Sequence, residues 1–448
     1  MSLIPEIPEL KDVITGELAV IGKWVVASVN ARMSWPVRAQ KVRYRGVELW
    51  VLPVTKDHFP GIALNCPGSM QGDDAERLIM QFLSALAWIE NAGLVVEYFT
   101  GASPQLRPME RQQKFGFSIQ DDFDFSYLPE PADEKAQLAL AIMREGRGLN
   151  HPAYAFLSFY RVLEVALGDG KKRGKWITAH IDQIRDQRAT EVIAQLRANG
   201  VQDIGEHLQK SGRHAIAHAR SNPIINPDEP ADARRLRAEL PIMEKLAVLA
   251  IDKELGIETR HTVWEKHLYE LDGFKTILGR DLAASIAKGE EVNDTRTIEF
   301  PTVSIELRKR APYKALSNLQ AVSLGRVGSL VALIVQSVDK LFWFRCHLDF
   351  ANERLLFDFQ TDLGCKDDGS AGCADRIADV HRFIYEYLCN GELRILNSVT
   401  NELISRKDAF IPVNCMVNGE VCDANIERWL TKARERREET ERNEAAGL

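Results

Sequence analysis

Apolar and polar positions change their spacing twice along this chain. In "KVRYRGVELWVLPV" (41–54) they alternate on either side of Gly46, the pattern of two half-buried strands joined at a turn. "DDAERLIMQFLSALAWIENAG" (73–93) repeats its apolar residues at helical spacing, with Asp73 or Asp74 as the expected cap and Gly93 as the expected stop. "VVEYF" (95–99) returns to strand texture. The acidic, proline-bearing run "DDFDFSYLPEPADEK" (121–135) reads as a linker that closes an N-terminal α/β (α+β) domain over residues 1–125.

From 132 to 258 the alternation disappears and helical spacing takes over. "DEKAQLALAIMREGRG" (133–148) ends at glycine, and "HPAYAFLSFYRVLEVALGDG" (151–170) has Pro152 near its start and Gly168 at its end. Phe156, Phe159, Tyr160, Leu163 and Leu167 fall on one stripe of that helix. Further helices are expected over roughly 175–187, 189–199, 204–221 and 231–255, with Pro241 kinking or restarting the last. This segment is a central all-α bundle. A helical connector follows over 259–294. Strand-like runs such as "TIEFPTVSIELRK" and "LFWFRCHLDFANERLLFDFQT" (341–361), then the helix "ADRIADVHRFIYEYLCNGE" (374–392), make 295–425 a C-terminal α+β domain. The charged tail 426–448 reads as a solvated helix. The fold class is therefore multidomain, a helical bundle flanked by two α+β domains.

Composition narrows the functional classes. The 448 residues are 45% hydrophobic and 27% charged, as in an ordinary globular protein. No run reaches the roughly 18 consecutive apolar residues of a membrane span, and "MSLIPEIPELKD" lacks the basic and apolar stretches of a secretory signal, so a cytoplasmic protein without membrane partners is expected. Seven scattered cysteines contain no CxxC pair; the spacings of Cys365/Cys373 and Cys415/Cys422 exceed those of common zinc sites, and free thiols are the expectation. Asp121, Asp122 and Asp124 have no partnering motif for a metal. The net charge of −7 argues against a protein that coats nucleic acid. Residues 131–256, however, hold 19 Lys and Arg against 17 Asp and Glu, leaving −9 for the remainder. Basic character is concentrated in the helical segment.

The stretch that carries candidate chemistry is "KSGRHAIAHARSNP" (210–223). Ser211 is an acceptable N-cap for a helix reaching Ser221, which would put Arg213 and His214 in its first turn, where backbone N–H groups and cations converge on an anion. His214 and His218 are one turn apart, and Arg213 and Arg220 share a neighbouring face. A histidine titrates near neutral pH, and an arginine holds a phosphate bidentately. Those are the residue types that metal-free RNA cleavage needs: a base at the 2′-hydroxyl, an acid at the leaving 5′-oxygen and a cation on the phosphate. The same residues also suit a core histidine with solvent-facing neighbours.

"RHAIAH" (213–218) resembles the Arg-polar-x3-His signature of HEPN domains, the helical domains of many prokaryotic toxin, CRISPR-associated and phage-defence ribonucleases. A helix carrying the aromatic-rich "FYRVLEV" precedes the motif, and a long closing helix follows it. The context "GRHAIAHARSNPIINPDEPADARRL" is also similar to MauJ-like proteins, named for methylamine utilization. The HEPN resemblance covers about 125 residues. It implies an endoribonuclease that requires no metal or cofactor and leaves 2′,3′-cyclic phosphate ends. Arg213 would contact the scissile phosphate, His218 would be the base or acid, and His214 would orient the pair. Two protomers would bring their motifs into one cleft, so a homodimer is implied. The flanking domains would bind an unknown trigger ligand or protein. Glu164, on the apolar stripe, would orient the arginine. Lys171, Lys172, Arg173 and Lys175 of "GDGKKRGK" (168–175), a stretch that fails the Walker spacing and reads as an inter-helix loop, would steer RNA; Arg220 is a further phosphate contact. The rival reading is a non-catalytic HEPN-like module that binds a nucleotide or a partner.

Overall fold

The computed structural model of the chain describes residues 7–101, 103–109, 118–120, 122–125, 127–218, 225–226, 228–291, 298–308, 310–389, 391–409 and 416–445. It is a multidomain α+β protein of two compact units, Met1–Thr262 and Val263–Leu448. Among the described residues no helix is long and apolar enough to cross a membrane.

The first unit begins with strands β1 (Trp24–Ala31), β2 (Gln40–Tyr44), β3 (Val47–Leu52) and β4 (Gly61–Asn65), helix α1 (Gly72–Ile89) and strand β5 (Leu94–Gly101). They form an antiparallel sheet in the order β2-β3-β4-β1-β5. Arg45 and Gly46 join β2 to β3 with φ of 50° and 76°, the doubly left-handed two-residue turn whose twist matches a hairpin. The first six residues of β1 are buried, because both faces of the sheet are covered. α1 starts after Gln71 rather than at Asp73 or Asp74, which lie in its first turn where the helix dipole favours acids. It stops at Glu90, before Gly93; a side chain at Gly93 would meet the Arg147 carbonyl at 2.4 Å, so this glycine serves close approach instead.

Helices α2 (Glu134–Gly148), α3 (Pro152–Leu167), α4 (Gly170–His180), α5 (Gln187–Ala198), α6 and α7 (Pro230–Glu254) complete the unit. α6 is composite: an α-helical turn Ile204–His207, a π-helical stretch Leu208–His214 and a last turn Ala215–Ala217. α7 runs through Pro241 as one helix. The boundary expected between 1–125 and 132–258 is packed shut. Ile79, Phe82, Leu83, Ala85 and Leu86 of α1 are fully buried, and one apolar core extends from Val25 to Ile251. A helix apolar on both faces must be covered on both, here by the sheet and by α2. The expected linker belongs to that core: Phe123 meets Trp35 edge-on at 5.1 Å, and Asp133 caps α2 by accepting the Ala136 N–H at 3.2 Å. Arg147 of α2 donates to Glu244 at 2.9 Å, to the Ala87 carbonyl at 3.0 Å and to Asn91. Burial pushes its pKa down, and those acceptors offset the desolvation of a charge inside the interface.

α4 starts at Gly170, not near 175: the Asp169 side chain accepts the Lys171 N–H at 2.6 Å and caps it. "GDGKKRGK" is thus mostly the first turns of a helix, not a loop.

The second unit holds α8 (Asp272–Leu278), α9 (Arg280–Ala287), β6 (Val303–Leu307), β7 (Gln320–Val327), β8 (Leu330–Gln336), β9 (Phe342–Asp349), β10 (Arg354–Leu356), β11 (Leu363–Cys365), α10 (Ala371–Leu388), β12 (Glu392–Asn397), β13 (Leu403–Asp408) and α11 (Gly419–Ala445). One sheet runs β10-β9-β8-β7 with β11 also on β9, and a second runs β13-β12-β6. β9 alternates buried and half-buried residues along its length, as a strand with one face on the core does. From Val263 on, the helical connector belongs to this unit and contributes Phe274, Leu278 and Ile286 to its core. The charged tail belongs to α11, which lies along α10; Arg436 forks onto Asp367 with both bonds 2.8 Å, and Arg437 pairs with Asp375.

Candidate functional site around Arg213

The helix that carries the motif begins at Ile204, as the helical spacing over 204–221 predicts, and not at the Ser211 cap. Asp203 accepts the Glu206 N–H at 2.9 Å and starts α6, so Ser211 lies inside the helix and caps nothing. Removing this cap in Asp203→Ala is expected to cost about 1 kcal/mol, seen as a lower denaturant midpoint with an unchanged slope. Arg213 and His214 therefore stand near the C-terminal end of α6, and His218, at φ −126° and ψ 105°, has already left it. This reverses the expected placement. The C-terminal end of a helix dipole favours cations, so the Arg213 charge stabilises α6 here, and this end of the helix offers carbonyls rather than free N–H groups. The π-helical stretch runs into the motif and contains its first two residues, Arg213 and His214. Such bulges recur at functional sites, because they re-aim side chains that a regular helix would space evenly.

Gly212 explains how the turn packs. A Cβ at this position would sit 2.3 Å from Cζ of Phe156, so the ring of α3 rests on the bare backbone of α6. That contact sets the two helices close enough for Arg213 to reach across. Its Nη2 lies 3.5 Å from Oε1 of Glu164 on α3. Arg173 of α4 reaches the same Glu164 oxygen at 3.7 Å, donates to the Gly168 carbonyl and lies over the Tyr160 ring at 5.6 Å. Two guanidinium groups thus share one carboxylate, and one positive charge is left over at this spot.

Arg213 Nη1 is 3.4 Å from Nε2 of His218, whose ring nitrogen accepts, and the His214 and His218 rings meet edge-on at 5.8 Å. The His218 N–H still bonds to the His214 carbonyl at 3.0 Å. His218 is exposed, while Arg213, His214 and Glu164 are half-buried. Desolvation first, then the Arg213 charge and then His218, push the His214 pKa below its usual 6.5. Protonation of His214 therefore favours the unfolded chain: its contribution to stability is complete above pH 6.5 and is lost as pH falls through the lower folded value. An NMR titration of the His214 ring is expected to show a midpoint below 6.5 that rises in Arg213→Ala; an unmoved midpoint would exclude the arginine as a cause.

An open cavity of about 810 Å³ lies between α4 and the start of α6, lined by Lys171 and Lys175 together with Asp169, Asp203 and Glu206. Of the basic residues singled out in 168–175, Arg173 joins the Glu164 cluster, Lys171 and Lys175 line the cavity, and Lys172 is exposed without lining it. Arg220 lies outside the described residues, as do Asp121 and Cys415. Sequence reasoning passed over Arg235 and Glu239 of α7, which reach the π-helical turn from its buried side. Their i, i+4 spacing is visible in the sequence, but their burial is not.

Metal-capable side chains gather elsewhere. Among the described residues Asp367, Asp368 and Cys373 place ligand atoms within 4.8 Å of one another, and Cys365 Sγ is 3.8 Å from Cys373 Sγ. Asp367 is already taken by the Arg436 fork, which with other hydrogen bonds holds its carboxyl down at about 2, and Cys373 donates its S–H to the Lys366 carbonyl at 2.9 Å. Burial and the neighbouring Cys373 push the Cys365 thiol up to about 12. Cys365 is therefore a thiol at neutral pH. Among the described residues, Asp122 and Asp124 join no such group.

The family model described as methylamine utilization protein MauJ matches residues 139–252. This segment is MauJ-like. The match begins within α2 and ends within α7, so it contains every residue of the Arg213 cluster, and it covers about a quarter of the chain. No curated protein and no solved structure matches the chain.

Proposed function

We propose that the MauJ-like segment is a HEPN-type helical domain and that the protein is a metal-independent endoribonuclease acting as a homodimer. The observation that carries this reading is the meeting of half-buried Arg213, Glu164 and Arg173 with the exposed His218 at one spot with a surplus positive charge. Arg213 and Arg173 would hold the non-bridging oxygens of the scissile phosphate. His218 of one protomer would take the proton of the 2′-hydroxyl, whose oxygen attacks phosphorus. The P–O5′ bond breaks, and His218 of the second protomer gives a proton to the leaving oxygen, which yields a 2′,3′-cyclic phosphate and a 5′-hydroxyl. One helix end does not place two copies of His218 on opposite sides of a phosphate; a second protomer would. Glu164 would orient the arginines, His214 would support the pair in its neutral form, and Lys171, Lys175 and Lys172 would steer the strand. A trigger bound by the remaining parts of the chain, in a defence or stress role, is what the HEPN resemblance adds.

The second reading, a non-catalytic nucleotide- or partner-binding module, is favoured by one feature: Glu164 offsets half of the arginine charge in the free protein. Incubating the purified protein with RNA in EDTA separates the two. The nuclease reading expects cleavage that persists in EDTA, fragments that carry cyclic phosphate by mass spectrometry, and a dimer by sedimentation. RNA bound but intact under these conditions would favour the module.

A further inference from the structure

Glu239 of α7 is buried, with 2% of its side chain exposed, and it is not a spectator. Its Oε1 accepts from His207 Nε2 at 2.9 Å, and its two oxygens accept from Arg235 Nη1 at 3.3 and 3.2 Å. The other amino group of Arg235, Nη2, donates to the Ser211 carbonyl at 2.8 Å. The turn explains why that donor matters. In a regular α-helix the Ser211 carbonyl would receive the N–H of Ala215. In the π-helical stretch the Ala215 N–H goes to the Lys210 and Gly212 carbonyls instead. Arg235 thus supplies a donor to the carbonyl that the wider turn has released, at the residue next to Gly212 and two before Arg213.

A buried carboxylate is stable only with its partners in place. Glu239 therefore holds His207 at the start of the turn and Arg235 under its middle. We propose that Glu239 is a positioning residue: acting through Arg235, it keeps α6 in the π register that aims Arg213 at Glu164 and His218. The inference rests on the nuclease reading for its effect on rate, but its geometric content stands apart from that reading.

The test compares wild-type protein with Glu239→Gln, which keeps size and loses charge, and with Arg235→Lys, which keeps the charge and loses the fork. Two readouts are taken on the full chain: steady-state cleavage of an RNA oligonucleotide, and the Arg213 side-chain Nε–H signal by NMR. Glu239→Gln is expected to lower kcat about 10- to 100-fold with KM within about 2-fold, and to shift the Arg213 signal. Arg235→Lys is expected to do the same more weakly while keeping a wild-type thermal melt. A general loss of structure would instead move KM, the melt and many signals together. Wild-type kcat with an unmoved Arg213 signal in both folded variants overturns the proposal. Should the wild-type protein cleave no RNA, the nuclease reading falls, and the Arg213 signal alone decides the positioning.

Discussion

His218→Ala is expected to cut the rate of RNA cleavage 10²- to 10⁴-fold, the range that one general acid–base group supplies. Arg213→Ala is expected to cost 10²- to 10³-fold, as loss of a donor to the developing phosphate charge does elsewhere. Neither variant should unfold the protein. His218 is exposed and past the helix end, and Arg213 is only half-buried. Removing Arg213 does not orphan its carboxylate partner, because Arg173 stays within 3.7 Å of Glu164. Arg213→Lys should fall between wild type and alanine, since an ammonium keeps the charge but not the planar fork. Single-turnover cleavage with matched thermal melts checks all three. Equal rates for wild type and Arg213→Ala would sink the assignment of this cluster to catalysis.

The second large effect is structural. Gly212→Ala places a methyl carbon 2.3 Å from Cζ of Phe156, well inside contact distance, and Phe156 is fully buried. Overpacking of this kind typically costs about 1–3 kcal/mol, and in a unit of this size each kcal/mol lowers Tm by about 2–4 °C. The displaced helix carries Arg213 with it, so cleavage should fall by more than stability accounts for. A double-mutant cycle with Phe156→Leu tests the cause: the pair should be less destabilised than the sum of the singles, because a smaller side chain makes room for the methyl. Additive effects would show that Gly212 matters for another reason, such as backbone freedom.

Local readings fared well where one rule acted alone. The Gly46 hairpin and α3 between Pro152 and Gly168 were legible because an alternating or helical pattern coincided with glycine at a positive-φ turn or helix end or with proline in the first helical turn. α10 was legible from its helical period alone, with its ends at Ala371 and Leu388 rather than 374 and 392. Glu164 stood out as a carboxylate on an apolar stripe, and the structure puts it beside Arg213. Readings failed where two local rules competed. Ser211 and Asp203 are both acceptable caps, and the helix that continues through Ser211 is held by tertiary contacts, Gly212 on Phe156 and Arg235 on the Ser211 carbonyl. Likewise Asp169 starts α4 five residues before the expected position.

What the chain determines by itself is which residues are apolar, at what period, and which side chains carry protons and charge. From these follow the helical segment around 134–254, the strands on either side of it, and the basic–histidine motif. Tertiary structure alone decided that the N-terminal sheet and the helices share one core, because a helix apolar all round has no preference for one partner until both are present. It also decided the direction of the motif. Arg213 and His218 lie at the closing end of α6, through a π turn held by Arg235 and Glu239, since the contacts that set this register come from residues more than 20 positions away.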